Sequence, residues 1–157
     1  MSGAFSPGLV SKIEALAGRY PAKAAALLPV LHLVQNERGH VSAEDERTVA
    51  GLLGMPPIKV REVVTFYTMF RRRAVGRYHI QVCTNLSCML AGGDSLAAHL
   101  EAKLGVKLGG TTADGKFTLT GVECLGACET APCLMINFDY YGNLDSARID
   151  DILGSLA

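Results

Sequence analysis

Leu9, Ile13 and Leu16 recur at the spacing of an amphipathic helix with one buried face. Ser6 can cap that helix, Pro7 suits its first turn and Gly18 can end it. The helical period continues through the first half of the chain. The stretch PAKAAALLPVLHLVQNERG predicts a second, more buried helix, with Pro29 kinking it or marking a restart. Ser42 and Asp45 have capping-box spacing for a third helix, closed at Gly54. Pro57 opens a fourth, which should turn Val60, Val63, Val64 and Phe66 inward. There is no internal repeat and no low-complexity segment.

After Gly76 the period changes to two. In RYHIQVC, Tyr78, Ile80 and Val82 face one way and His79, Gln81 and Cys83 the other, which predicts a strand. CTNLSCMLAGG reads as a loop. Asp94 can cap the next helix, with Leu96, Leu100 and Leu104 on one face. Asp114-Gly115 is a turn signal before a second strand ending at VEC. After the loop ECLGACETAP come a buried strand, CLMINFD, and a short pairing strand near DYYGNLD. Ser146 or Asp145 caps a last helix carrying Ile149, Ile152 and Leu153. The order strand, helix, strand, strand, strand, helix builds one small sheet covered by helices.

Charge sharpens this division. The formal net charge of the chain is zero, yet residues 1–76 hold ten Lys/Arg against six Asp/Glu, and residues 77–157 hold five against nine. The boundary is placed near Val75–Gly76, giving a helical part (1–75) and an α/β part (76–157). Apolar residues make up 49% of the chain, enough for a real core. No apolar run approaches the length of a membrane span, so direct membrane insertion is not expected. The N-terminus MSGAFSPGLVSKIEAL has no basic stretch leading into a long apolar run, so no signal peptide is expected. A cytoplasmic setting makes metal or redox chemistry a better account of the cysteines than structural disulfides.

All five cysteines lie in the acidic half. Four are spaced Cys83-x4-Cys88, then 35 residues, then Cys124-x3-Cys128. Each pair follows a strand. If those strands are parallel neighbours, both loops leave the same end of the sheet and four thiolates can converge. Four cysteines suit either a 2Fe–2S cluster, two per iron, or a structural zinc ion. Gly126 and Ala127 leave backbone N–H groups free to approach bridging sulfides, and zinc knuckles are usually tighter, so the spacing favours the cluster. Cys133, after Pro132 at the start of an apolar strand, reads first as a small buried hydrophobe, with a resolving thiol or spare ligand as the lesser alternative. With no C-x-x-C pair, a thioredoxin-type dithiol mechanism is disfavoured.

The stretches ALLPVLHLVQNERGHVS, VVTFYTMF, VGRYHIQVCTNLSC, TTADGKFTLTGVECLGAC, the dipeptide AP and DYYGNL carry a family resemblance over nearly the whole chain. The sequence resembles the thioredoxin-like 2Fe–2S subunit that accompanies the NADH-oxidising flavoprotein of respiratory complex I. Related subunits serve NAD-reducing hydrogenases and NAD-dependent formate dehydrogenases. The resemblance implies an N-terminal helical bundle followed by a thioredoxin-like 2Fe–2S ferredoxin domain. It implies Cys83, Cys88, Cys124 and Cys128 as ligands of one cluster. It also implies an FMN- and NADH-binding flavoprotein partner that supplies the electron, with FMN and NAD held there. Membrane association would then come through the larger complex. Two positions depart from the family pattern: Cys133 stands where an apolar residue such as valine is usual, and Glu129 replaces a common glycine.

Nothing on this chain resembles a nucleotide site, for no G-x-G-x-x-G follows a strand. Two rival readings compete with the cluster. An iron–sulfur DNA-binding regulator would use VSAEDERTVAGLLGMPPIKVREVVTFYTMFRRR as two helices with a basic tail, but Arg71, Arg72 and Arg73 follow the presumed second helix, where dipole effects alone favour them. No nucleic-acid partner is expected. A zinc-stabilised adaptor would use the same four cysteines without redox activity. His32 and His40 read as packing or capping residues. His79 shares the Cys83 face of its strand, and Asn85 and Ser87 lie between the first two ligands as candidate hydrogen-bond donors.

Overall fold

The computed structural model describes residues 4–156. The chain divides into two compact units, Met1–Ala74 and Val75–Ala157.

The first unit is helical. Helix α1 (Pro7–Ala17) is capped by Ser6, whose Oγ accepts the Leu9 N–H at 3.1 Å. A short 3-10 turn (Lys23–Ala26) leads into α2 (Leu27–Arg38). The α-helix therefore restarts just before Pro29, which occupies the first turn, where a missing N–H breaks no helical bond. Helix α3 (Ala43–Leu53) has the expected capping box between Ser42 and Asp45 and ends at Gly54, φ 67°. Helix α4 (Pro57–Phe66) follows directly. Leu9, Ile13, Val30, Leu31, Val34, Val49, Val60 and Val64 close a dry core. Burying each such side chain is worth about 1.5–3 kcal/mol. Phe66 is a correction: it is 77% exposed, because α4 turns Val60 and Val64 to the core and leaves Phe66, its last residue, facing away. Beyond α4, buried Gln35 fixes the chain. Its Nε2 donates to the Met69 carbonyl at 2.9 Å, and its Oε1 accepts the Arg71 N–H at 2.7 Å.

The second unit is a four-stranded mixed sheet with helices. The strands are β1 (Tyr78–Cys83), β2 (Phe117–Val122), β3 (Leu134–Ile136) and β4 (Asp139–Tyr141), in the order β2-β1-β3-β4. β1 runs parallel to β2 and antiparallel to β3. Its neighbours on both sides explain why β1 is buried along nearly its whole length. A short helix, α5 (Leu86–Leu90), forms within the segment read as a loop, and α6 (Gly93–Leu104) follows. The N-cap of α6 is Gly92, φ 95°, and Asp94 lies in the first turn, correcting its expected capping role. The tight corner between α5 and α6 needs the left-handed backbone that glycine adopts freely. Helix α7 (Ser146–Ser155) is capped by Asp145, whose carboxylate accepts the Arg148 N–H at 2.8 Å. Ile80, Val82, Leu100, Leu119, Leu134 and Ile149 form this unit's core.

Candidate metal centre

The two strand-end loops leave one end of the sheet because β1 and β2 are parallel and in register from Tyr78↔Phe117 to Cys83↔Val122. Cys83 is the last residue of β1, and Cys124 stands two residues beyond the end of β2. Cys88 is carried back to the sheet by α5, and Cys128 opens a 3-10 turn, Cys128–Thr130. The Ala131–Pro132 peptide bond is cis, and the chain enters β3 just after Cys133.

The structure brings together three thiols, one of them Cys133, which the sequence reading kept outside the four-cysteine ligand set. Cys83, Cys88 and Cys133 are buried, and their Sγ atoms all lie within 4.8 Å of one another. Leu125, Ala127 and Ala131 pack against them. Cys124 and Cys128 are exposed and stand outside this group. The antiparallel register accounts for Cys133. β1 pairs Ile80 with Ile136 and Val82 with Leu134, and one step further Cys83 faces Cys133, joined by a Cys83 N–H to Cys133 carbonyl bond at 3.3 Å. The available signal was therefore a pairing of β1 with β3, which cysteine spacing alone does not reveal.

Electrostatics separate the three buried sulfurs. Burial works to raise the Cys83 pKa, but hydrogen bonds to its sulfur from the Asn85 and Leu125 N–H groups, then from the Cys88 and Cys133 thiols, together outweigh it, so Cys83 lies below the ordinary thiol value. Burial raises Cys88, and the Cys83 sulfur beside it adds to the effect. Cys133 is pushed up to about 12, by burial first and then by the neighbouring Cys88 and Cys83 sulfurs. Of the three buried thiols, Cys83 is the one whose surroundings favour the thiolate.

The donor set fits a 2Fe–2S cluster. All five cysteines are free of disulfides. A single ion needs its four sulfurs in one knot. A two-iron cluster stands between two thiol pairs, so a buried pair and a separate exposed pair are compatible with it. Backbone N–H groups already point at sulfur in both loops, from Asn85 and Leu125 to Cys83 and from Gly126 to Cys124 Sγ at 3.3 Å. The Asn85 contact comes from its backbone, which also precedes the first turn of α5. His79 is tied elsewhere, its Nε2 lying 3.0 Å from Thr120 Oγ1 on β2. His32 is exposed and packs its ring on Phe70, with centroids 5.0 Å apart.

Comparison with known proteins identifies the family. The family model for thioredoxin-like [2Fe-2S] ferredoxin matches residues 13–157. The chain is 49% identical over 144 residues to an NADH-quinone oxidoreductase subunit of Rhizobium meliloti (strain 1021), covering 92% of this chain and 86% of that protein. It is 47% identical over 146 residues to the corresponding NADH-quinone oxidoreductase subunit of Rickettsia conorii (strain ATCC VR-613 / Malish 7), covering 91% and 87%. Among solved structures it is similar to an NAD+-reducing [NiFe]-hydrogenase in the H2-reduced state, with a TM-score of 0.73 and 28% identity. That match covers 85% of this chain and 22% of the hydrogenase chain.

Proposed function

The chain belongs to the thioredoxin-like [2Fe-2S] ferredoxin family, and from that premise we propose that Cys83, Cys88, Cys124 and Cys128 hold its one cluster and that its electron comes from an FMN- and NADH-binding flavoprotein subunit. The protein is an electron-transfer subunit of an NADH-linked oxidoreductase complex, in keeping with its NADH-quinone oxidoreductase relatives. The observation that carries the site assignment is the parallel, in-register pairing of β1 with β2, which delivers both cysteine loops to one end of the sheet.

The bound cluster supplies one-electron redox chemistry without bond making or breaking. The chain's own residues supply the setting. Cys83 and Cys88 offer buried sulfurs that exclude water from one side of the site. Cys124 and Cys128 lie on an exposed loop, which leaves the other side open to a redox partner. Amide donors from Asn85, Leu125 and Gly126 offset negative charge on the sulfurs. Among the described residues, no helix is long and apolar enough to cross a membrane; membrane association in our reading comes through the larger complex.

Assignment to an NADH:quinone oxidoreductase is favoured over an NAD-reducing hydrogenase or an NAD-dependent formate dehydrogenase. Identity of 49% along most of both chains outweighs 28% to a segment of a hydrogenase chain. The test is anaerobic purification with iron, acid-labile sulfide and electron paramagnetic resonance. Two irons and two sulfides per chain, with a signal that appears on NADH addition only when the flavoprotein is present, are expected. Single alanine variants at Cys124 and Cys128 should each lose the cluster. A chain that takes up neither iron nor sulfide on anaerobic reconstitution, whatever other metal it holds, or retention of a native signal in both variants, would reject the assignment.

A further inference from the structure

Three sulfurs from three separate elements meet at the end of this sheet without a bond between them. Cys83 ends β1, Cys88 lies in α5 and Cys133 directly precedes β3. Each is at most 2% exposed. The Cys88 and Cys133 sulfurs are 3.7 Å apart, well beyond the roughly 2.0 Å of a disulfide. The cluster assignment uses Cys83 and Cys88 and leaves Cys133 without a role.

The spacing matches what one metal ion requires. A tetrahedral ion held by thiolates at about 2.3 Å sets its sulfurs about 3.8 Å apart. The Cys88–Cys133 separation already meets this, and no pair in the trio exceeds 4.8 Å, so closure needs side-chain movement of about 1 Å at most. From this geometry we infer that the cluster-free chain binds a single soft divalent ion, of the zinc and cadmium class, between Cys83, Cys88 and Cys133. Thiolates select such ions over calcium or magnesium. Binding releases the thiol protons to solvent and leaves a fourth position for water. The N–H groups of Asn85 and Leu125 face the Cys83 sulfur and offset the net negative charge of three thiolates around a divalent ion. Leu125, Ala127 and Ala131 shield the trio. This site does not depend on the cluster assignment, since it uses neither Cys124 nor Cys128.

The full chain is stripped of metal under reducing, anaerobic conditions and titrated with Cd2+. The same is done with the variant Cys124→Ala/Cys128→Ala, whose substitutions lie at exposed positions and leave only the trio. One Cd2+ per chain with three sulfur neighbours by X-ray absorption is expected in both. Adding Cys133→Val, which keeps an apolar side chain before β3, should reduce the sulfur count to two and weaken Cd2+ binding by at least about tenfold. Far-UV circular dichroism of the metal-free forms checks folding. If the valine variant does not fold, the sulfur count in Cys124→Ala/Cys128→Ala decides alone: three sulfurs support the site, and two or none overturn it. Unchanged affinity in a folded Cys133→Val form also overturns it. Loss of the 2Fe–2S cluster from either exposed-cysteine variant bears only on the cluster assignment.

Discussion

The Cys83 N–H donates to the Cys133 carbonyl at 3.3 Å, one register step beyond the Val82–Leu134 pair of the antiparallel β1–β3 ladder. That bond sets a buried thiol opposite another, while Cys124 and Cys128 remain at the surface. Thiol reactivity should follow this division. In the metal-free, reduced chain, Cys124 and Cys128 should alkylate rapidly, and Cys83, Cys88 and Cys133 more slowly by about an order of magnitude or more. Timed alkylation followed by peptide mass spectrometry reads each position. Equal rates at Cys88 and Cys124 would contradict the burial pattern.

Gly93 begins α6 directly behind the Cys88 backbone. A β-carbon there would stand 2.8 Å from the Cys88 carbonyl oxygen and 2.9 Å from its carbonyl carbon. Both close contacts are backbone atoms, so no flexible side chain can move aside. Gly93→Ala should therefore push α5 outward and displace Cys88, destabilising the chain by about 1–3 kcal/mol. Denaturant unfolding measures the loss, and the cluster's paramagnetic resonance line shape reports displacement of the sulfur. A variant with native stability and native line shape would show that α6 does not hold Cys88 in place.

Asp150 joins α6 to α7, with His99 Nε2 at 2.9 Å and Lys103 Nζ at 3.2 Å from its two carboxylate oxygens. The hydrogen bond with His99, and then that with Lys103, holds the Asp150 carboxyl below its ordinary value. A folded pKa below the unfolded one means that the unfolded chain takes up the proton first as pH falls. The stabilisation is complete above the unfolded value near about 3.9 and is lost as pH drops through the folded one. Asp150→Asn should be less stable than the parent at neutral pH, with the difference shrinking below about pH 4. Paired denaturant melts of the metal-free proteins across this range test the sign. A difference that grows in acid would refute it.

Element types were legible where local chemistry acts alone. Ser6, Ser42 and Asp145 each cap the helix that their side chains allow, because a cap needs only neighbours three residues away. The alternation in RYHIQVC and the Asp114-Gly115 turn likewise mark β1 and the approach to β2. What local pattern could not show was set by tertiary neighbours. α5 is five residues long, too short to carry a periodic signal, yet it places Cys88. Phe66 has the spacing of a core residue but sits at the end of α4, where its ring meets Tyr67 and stays largely exposed. Cys133 read correctly as buried, but its meeting with Cys83 and Cys88 depends on β3 lying antiparallel beside β1, a pairing between distant segments. The four cysteines proposed as ligands come from spacing, flanks and family likeness, and the structure draws two of them, Cys83 and Cys88, into one buried group. The fifth acquires meaning only from the sheet order.

Glu129 lies between Cys128 and Thr130 in the exposed 3-10 turn that follows the second cysteine loop. A carboxylate beside a proposed ligand disfavours adding an electron to the cluster, because the reduced form carries one more negative charge. Its exposure limits the effect, since water and salt screen a surface charge far more than a buried one. Glu129→Gln removes the charge while keeping the side chain's size. The midpoint potential should rise by about 10–40 mV at low ionic strength, the equivalent of a few tenths to one kcal/mol for one electron. The difference between parent and variant should shrink as salt is raised, which separates a charge effect from a rearrangement of the turn. A redox titration followed by paramagnetic resonance, run at low and high salt, provides both readings. An unchanged potential at low salt would remove Glu129 from the account of the site, and a shift insensitive to salt would assign its effect to the turn's backbone.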